Sequence, residues 1–238
     1  MIVHVSNREA MEEIARARKR GLKIYGETCP QYLMLTESDL DGLNMEGAKY
    51  VCSPPPRDKA SQAACWEGLQ QGIFSLFSSD HCPFKYDDPQ GKLLPKGKTS
   101  FRWVPNGIPG VETRLPILFS EGVSKGRITL NEFVALTSTN HAKTYGLYPK
   151  KGTIAVGADA DIAIWDPKRK ETISQKLMHG GSDYTPYEGI AVTGWPVSTM
   201  VRGTFVVRDG KLTGKLGGGN YVARDKSELA KPAHHDRA

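Results

Sequence analysis

The sequence predicts an α/β protein in which short parallel strands alternate with helices, followed by a smaller β-rich module. Two observations lead to this prediction. Apolar, strand-like segments alternate with amphipathic helical segments up to about Tyr145. Beyond Tyr148, Gly and Asp residues divide the chain into short β-like pieces. The length of 238 residues allows one large domain or two smaller ones.

The first repeat has the order strand, helix, strand. Met1–Ser6 is an apolar strand, and Ser6 with Glu9 has the form of a capping box that begins a helix. Gly21 can end that helix in the left-handed conformation, and Leu22–Thr28 is the next predicted strand. This spacing is typical of a βαβ unit in a parallel sheet.

The second repeat follows an irregular segment that closes on Ser53 and three prolines, which make a rigid corner. Asp58 is the predicted cap of a helix that runs to Gly72. A buried strand, Ile73–Ser79, follows directly. A long loop over a pocket is predicted from Pro83 to Pro109.

Three helices and a β module complete the predicted chain. The helices are Val111–Gly122, Leu130–Leu136 and Asn140–Tyr145. The β-like pieces are Ile154–Val156, Ile162–Trp165, Ser198–Val201 and Thr204–Val207, with a hairpin turn at Asp209-Gly210. We therefore predict three parts: an α/β part at 1–147, the β module at 148–216, and a flexible tail at 217–238. His234 and His235 in the tail are interpreted as an incidental pair and not as a metal site.

Composition narrows the class of protein. The formal charge of +6 raises the possibility of nucleic-acid binding. The one dense basic run, Arg16–Lys23, lies at a helix end and has no aromatic residues between its basic residues. This arrangement favours a solvated helix end over a nucleic-acid-binding surface. No apolar run reaches the roughly 20 residues that a membrane span needs. The four cysteines lack Cys-x-x-Cys spacing and are interpreted as reduced thiols. A cytoplasmic protein is expected.

Polar residues at two strand ends are the candidate site. His4 ends the first strand, and Asp80 follows Ile73–Ser79. In a barrel of parallel strands such residues point into the catalytic mouth, so one imidazole and one carboxylate suggest a metal site. Taken singly, His4 is more simply a hydrogen-bonded core residue. His81 should point away along the strand, His141 is interpreted as structural after a Ser138 or Thr139 cap, and Cys82 as a packing residue.

Six ordered motifs, spread over nearly the whole chain up to about Gly210, resemble the carboxyl-terminal half of cyclic amidohydrolases of the D-hydantoinase and dihydropyrimidinase family. The motifs are Val3–Ser6, Gly26–Leu33, Ser53–Lys59, Ser79–Phe84, Asn106–Glu112, and Lys151–Ile154 with Ala158–Asp161. The resemblance implies strands 6 to 8 of a TIM-like (β/α)8 barrel, followed by a small β-sandwich.

The resemblance also implies the roles of individual residues. Two metal ions, usually zinc, are bridged by a carboxylated lysine that lies before the matched region. His4 and Asp80 are metal ligands, and Asp80 is also the catalytic proton shuttle. The backbone at Ser53 and Asn106 contacts a cyclic ureide or imide substrate. The implied activity is hydrolytic ring opening to N-carbamoyl amino acids, and the implied parent is a homotetramer.

One departure from the family pattern shapes the functional expectation. Four of the usual six protein ligands precede the matched region, and a catalytic zinc ordinarily takes three protein ligands. We therefore expect the 238-residue chain to be part of a longer parent, or a truncated product, and inactive alone. The alternative is a non-catalytic amidohydrolase-fold scaffold, which would have no need of metal ligands at two strand ends.

Overall fold

In the computed structural model of the protein, which describes residues 1–227 and 229, a small parallel sheet precedes a four-stranded antiparallel sheet. The helices are α1 (Arg8–Lys19), α2 (Pro30–Met34), α3 (Lys59–Gln70), α4 (Arg114–Leu118), α5 (Leu130–Val134) and α6 (Asn140–Thr144). The strands are β1 (Gly26–Thr28), β2 (Phe74–Phe77), β3 (Ile162–Thr172), β4 (Ala191–Val201), β5 (Thr204–Arg208) and β6 (Lys211–Leu212). Mixed α/β content with a separate antiparallel sheet is confirmed.

The parallel sheet has the predicted order. β1 pairs with β2, and Ile2 forms a parallel bridge with Gly26 on the other side of β1. The first segment is shorter than the predicted strand Met1–Ser6, because His4 has φ of +55° and interrupts the regular ladder. Backbone bonds on both sides of this break, from Glu27 N to Ile2 O (3.0 Å) and from Val5 N to Glu27 O (2.9 Å), still hold the segment against β1.

Helix α1 begins one residue later than predicted. Asn7 is the N-cap, and its side chain accepts from Ala10 N at 3.3 Å, so the expected capping box of Ser6 and Glu9 is wrong. Asn and Ser are equally good N-caps, and here Ser6 is buried. The predicted cap Asp58 is confirmed, since its carboxylate accepts from Ser61 N at 2.8 Å.

The helices after the long loop differ from the prediction at their ends. Helix α4 begins at Arg114 and not at Val111, because the N–H groups of Gly110 and Val111 donate to His81 Nδ1 at 3.0 and 3.3 Å. It continues as a π-helical turn, Phe119–Ser124.

The two helices predicted for Leu130–Leu136 and Asn140–Tyr145 are continuous. A π-helical turn, Ala135–Thr139, joins α5 to α6. Thr139 has helical φ and ψ of −62° and −46°, so the predicted cap at Ser138 or Thr139 is wrong. The Thr137 hydroxyl donates to Phe133 O at 2.7 Å, which satisfies a helical carbonyl within the turn.

The antiparallel sheet is one sheet in the part of the chain that the structure describes, with order β3-β4-β5-β6. The predicted strand Ile154–Val156 is wrong: Ile154 and Val156 are exposed, and Gly157 turns the chain with φ of +91°. The predicted hairpin at Asp209-Gly210 is confirmed, because both residues have positive φ, +50° and +75°. His234 and His235 lie outside the described residues, as do residue 228 and the rest of residues 230–238 in the predicted tail.

The antiparallel sheet packs against helical segments that share the core of the parallel sheet. Trp165 on β3 stacks on Phe119 at a centroid distance of 4.9 Å and meets the edge of Phe133 at 5.6 Å. Phe119 also lies against Gly194 on β4, where a Cβ atom would be 2.1 Å from its ring. The larger core, which includes Val5, Ile14, Leu69, Phe74, Phe77, Leu118 and Phe119, therefore extends to the antiparallel sheet.

Other features agree with the composition. Cys29, Cys52, Cys65 and Cys82 are free thiols, and the first three are buried. Helix α1 carries Arg16, Arg18 and Lys19 in its last turn, where the helix dipole favours cations. Within the described residues, no helix is long and apolar enough to cross a membrane.

Replacing Trp165 by Ala should destabilise the protein by about 2–3 kcal/mol, because it removes two aromatic contacts and part of a half-buried side chain. The matched control is Ile164→Ala on the same strand, where the side chain is 42% exposed and the expected loss is below about 1 kcal/mol. Urea unfolding measures both. Equal losses would show that the aromatic contacts of Trp165 add no stability beyond that of an exposed side chain.

Candidate functional site

The carboxyl ends of the parallel strands bring three polar side chains together. His4 Nε2 lies 3.5 Å from Asp80 Oδ1 and 3.6 Å from Glu27 Oε1. The side chains of His4 and Asp80 are each 27% exposed, whereas that of Glu27 is 5% exposed. Because neighbouring parallel strands end at one edge of a sheet, the predicted pairing of His4 with Asp80 follows from the topology.

Two of these residues have an uncommon backbone. His4 has φ of +55° and Asp80 has φ of +46°. The left-handed conformation costs a non-Gly residue roughly 1–2 kcal/mol. Such strain persists where the surrounding structure imposes it, and it concentrates at functional sites. Its occurrence at both predicted ligands supports a functional constraint at this edge of the sheet.

The surroundings of Asp80 disfavour its charged form. Burial raises the pKa of the Asp80 carboxyl, the nearby His4 imidazole lowers it, and the Glu27 carboxylate raises it. The net effect is a pKa above the usual value. A carboxyl group with a raised pKa holds a proton more readily, which suits a group that must accept and return one.

An imidazole nitrogen and a carboxylate oxygen at this separation fit a divalent metal as two of its ligands. Zinc takes both atom types at about 2.0–2.2 Å, and ligand atoms on one tetrahedral ion are then roughly 3.3–3.5 Å apart. The measured 3.5 Å between His4 Nε2 and Asp80 Oδ1 agrees with that spacing. A catalytic zinc needs a third protein ligand, so this pair can form only part of such a site.

Glu27 was missed as a site residue by sequence reasoning. The signal was the one used for His4 and Asp80, since Glu27 lies at the carboxyl end of a predicted strand. Its neighbour at the next alternate position, Cys29, faces the same side, and Cys29 Sγ is 3.8 Å from Glu27 Oε1. Cys29 is fully buried, and burial raises the pKa of its thiol well above the ordinary value.

The predicted substrate contacts also lie together. Asn106 Nδ2 donates to Ser53 Oγ at 3.1 Å, so the rigid Ser53 corner meets the end of the long loop. Both residues line a cleft of about 620 Å³, whose other walls include Met45, Val51 and Phe101. A concave, mostly apolar cleft with a few polar groups is typical of a small-molecule site.

A buried lysine fixes the distance between these two segments. Lys92 is 0% exposed, and its Nζ donates to Val51 O at 2.9 Å and to Pro105 O at 2.7 Å. Val51 precedes Ser53 by two residues, and Pro105 immediately precedes Asn106. Lys92 was not singled out from sequence, because a lysine in a polar loop gives no sign that it is buried.

The remaining candidates behave largely as predicted. His81 Nδ1 accepts from the backbone of Gly110 and Val111, which leaves it in a structural role beside the site. His141 Nε2 is 3.1 Å from Phe77 O, at the end of β2. Cys82 Sγ is 3.7 Å from Asn106 O, consistent with packing.

The candidate site therefore lies at the carboxyl ends of parallel strands in an α/β fold. Residues 2–206 match the model of the amidohydrolase family, and the chain belongs to that family. It is 53% identical over 225 residues to the D-hydantoinase of Geobacillus stearothermophilus. The aligned region covers 94% of this chain and 47% of that protein.

Solved structures agree with this assignment. A crystal structure of D-hydantoinase matches with 51% identity and a TM-score of 0.91, covering 94% of this chain and 48% of the other. Dihydropyrimidinase from Brevibacillus agri NCHU1002 matches with 49% identity, a TM-score of 0.91 and the same coverage. The chain thus spans about half the length of the relatives it matches.

Lys92 predicts a measurable pH dependence of stability. Burial lowers the pKa of Lys92 to about 8, whereas its ordinary value is 10.5. Between these pH values the unfolded chain binds a proton that the folded chain does not, so the contribution of Lys92 to stability rises with pH, by about 3 kcal/mol at most. In Lys92→Met this rise should be absent.

The measurement is the free energy of unfolding in urea from pH 7 to 10.5, for wild type and Lys92→Met. The control is Lys98→Met, which replaces an exposed lysine of the same loop and should keep the wild-type slope. A Lys92→Met curve parallel to that of wild type would contradict the assignment.

Proposed function

We propose that this chain contributes the metal-binding and proton-transfer half of a cyclic amidohydrolase that opens hydantoin or dihydropyrimidine rings to N-carbamoyl amino acids. The observation that carries the proposal is the 3.5 Å contact of His4 with Asp80, made at parallel strand ends by two residues in strained conformations. The 53% identity to a D-hydantoinase supports the same reaction class.

The proposed metal content is two zinc ions for each complete site, with His4 and Asp80 as two of the protein ligands. When bound, the metals lower the pKa of water and polarise the amide carbonyl. The chain covers 47–48% of its relatives, and we propose that the other ligands, including the carboxylated lysine, correspond to the part of those relatives that it does not match. Ring opening then requires that part as well.

The residues of this chain have distinct proposed roles in the reaction. The Asp80 carboxylate accepts the proton of the attacking water and returns it to the ring nitrogen as the C–N bond breaks. His4 holds Asp80 and the metal in position. The backbone at Ser53 and Asn106 binds the polar edge of the ring by hydrogen bonds, and the cleft beside them excludes water from the ring substituent.

The second candidate function is a non-catalytic scaffold with the same fold. A scaffold has no requirement for strained backbone at two metal-ligand positions, so the φ values of His4 and Asp80 favour the hydrolase. The homotetramer and the cytoplasmic location stay predictions. Light scattering on the purified protein tests the former.

Asp80→Asn should lower ring opening by about 10²–10⁴-fold, because the amide cannot accept the nucleophile's proton. The assay follows N-carbamoyl product from hydantoin and from dihydrouracil, with zinc present, using the longest protein that the gene encodes. Asp87→Asn, which changes an exposed carboxylate in the loop after the site, is the matched control. Unchanged turnover in Asp80→Asn would contradict the proposed role.

Asn106→Ala should raise KM by about 3–10-fold and leave kcat within about twofold, since it removes the bond to Ser53 that aligns two substrate-binding segments and takes no part in proton transfer. Steady-state kinetics on the same substrates separate the two parameters. A fall in kcat with KM unchanged would instead place Asn106 in the chemical step.

A further inference from the structure

Asn106 is the one asparagine in the sequence that precedes a glycine. Asparagine is a thermolabile residue, because the backbone nitrogen that follows it can attack its side-chain amide carbon and form a succinimide ring. A glycine makes this attack easy, since it has no Cβ atom to hinder the approach. Asn106 is also exposed, so water reaches its side chain. The Asn106-Gly107 pair is therefore a candidate site for deamidation.

Two hydrogen bonds oppose the attack in the folded protein. The Gly107 N–H group must lose its proton and turn towards the side chain, but it donates to Val51 O at 3.0 Å. The side-chain amide under attack is fixed as well, because Asn106 Nδ2 donates to Ser53 Oγ at 3.1 Å. The segment that contains Val51 and Ser53 thus holds both the attacking nitrogen and its target.

A buried lysine strengthens this arrangement. Lys92 Nζ donates to Val51 O at 2.9 Å and to Pro105 O at 2.7 Å, so it ties the acceptor of the glycine N–H to the start of the asparagine loop. The bonds that Val51, Ser53 and Lys92 make to residues 105–107 form a clamp on this loop. Hydrogen bonds in a buried setting are costly to break, so the geometry of attack is reached only when the clamp opens.

We propose that Asn106 is a deamidation site that the clamp holds unreactive while the loop is closed. When the clamp opens, Gly107 N gives its proton to solvent water and bonds to Asn106 Cγ, and Nδ2 leaves as ammonia. Water then opens the succinimide at one of its two carbonyls and gives aspartate or isoaspartate. One water is consumed and one ammonia is released, with no change of oxidation state, so the step needs no further reactant.

Deamidation changes the cleft in two ways. A carboxylate at position 106 carries a negative charge and cannot donate to Ser53 Oγ. Isoaspartate also adds one carbon to the backbone between residues 106 and 107, which moves the Gly107 N–H away from Val51 O. The two segments then lose their alignment. A consequent loss of substrate binding rests on the proposed function, whereas the deamidation itself does not.

The test follows Asn106 in the 238-residue chain by mass spectrometry of the tryptic peptide Trp103–Arg114, which contains no other asparagine. Deamidation raises the mass of this peptide by one dalton, and a protein isoaspartyl methyltransferase labels the isoaspartate form. Near neutral pH, folded protein should deamidate at least about tenfold more slowly than protein unfolded in guanidinium chloride, because the open loop is a minor population of the folded chain.

Variants of the clamp should remove this protection. Lys92→Met should raise the rate in folded protein by about tenfold, since it removes two bonds of the clamp. Ser53→Ala removes the bond to the side-chain amide and should also raise the rate. It serves as the test if Lys92→Met fails to fold, which circular dichroism detects. The matched control Lys98→Met replaces an exposed lysine of the same loop and should keep the wild-type rate.

Trp165→Ala separates opening of the clamp from global unfolding, because it removes aromatic contacts elsewhere in the core and should leave the rate near that of wild type. Three results overturn the proposal: equal rates in folded and unfolded wild type, a rise in Trp165→Ala as large as that in the clamp variants, or a wild-type rate in folded Lys92→Met, with Ser53→Ala deciding if Lys92→Met does not fold. None of these readouts uses ring opening, so the modification and the proposed hydrolase function fail separately.

Discussion

Parallel pairing of the first segment, β1 and β2 is the constraint on which the site depends. Each segment contributes one ionisable side chain to the site, and these residues, His4, Glu27 and Asp80, are far apart in sequence. The backbone bonds from Glu27 N to Ile2 O and from Ser78 N to Thr28 O set the register of the three segments. A slip of one residue in either pairing would turn a site residue to the opposite face.

The core explains why this register is stable. Leu76 and Phe77 are 0% exposed, and apolar side chains of α1 and α3 cover one face of the sheet. Arg114 on α4 and His141 on α6 both contact Phe77 O. The end of β2 is therefore held by hydrogen bonds as well as by packing. The position of Asp80, three residues further on, is thereby fixed by residues that take no part in the proposed chemistry.

Local sequence signals were sufficient for much of this arrangement. The alternation of apolar and helical segments predicted the parallel strands, and the position of His4 and Asp80 at strand ends predicted their contact. Helix and strand ends were less accurate where the deciding interaction was distant. The start of α4 depends on His81, about thirty residues earlier, and no local pattern contains that contact. Lys92 escaped detection because burial of a charged residue is a property of the folded chain, whereas Glu27 carried the same strand-end signal as His4 and Asp80.

The strained residues also bear on how sequences of this fold can change. Glycine reaches φ of +55° without steric cost, whereas histidine at position 4 does not. Selection for thermal stability alone would therefore favour small or turn-forming residues at positions 4 and 80. An imidazole and a carboxylate at these positions are therefore explained by function and not by stability. In a library of variants selected only for folding, His4 and Asp80 should be replaced more often than the buried residues around them.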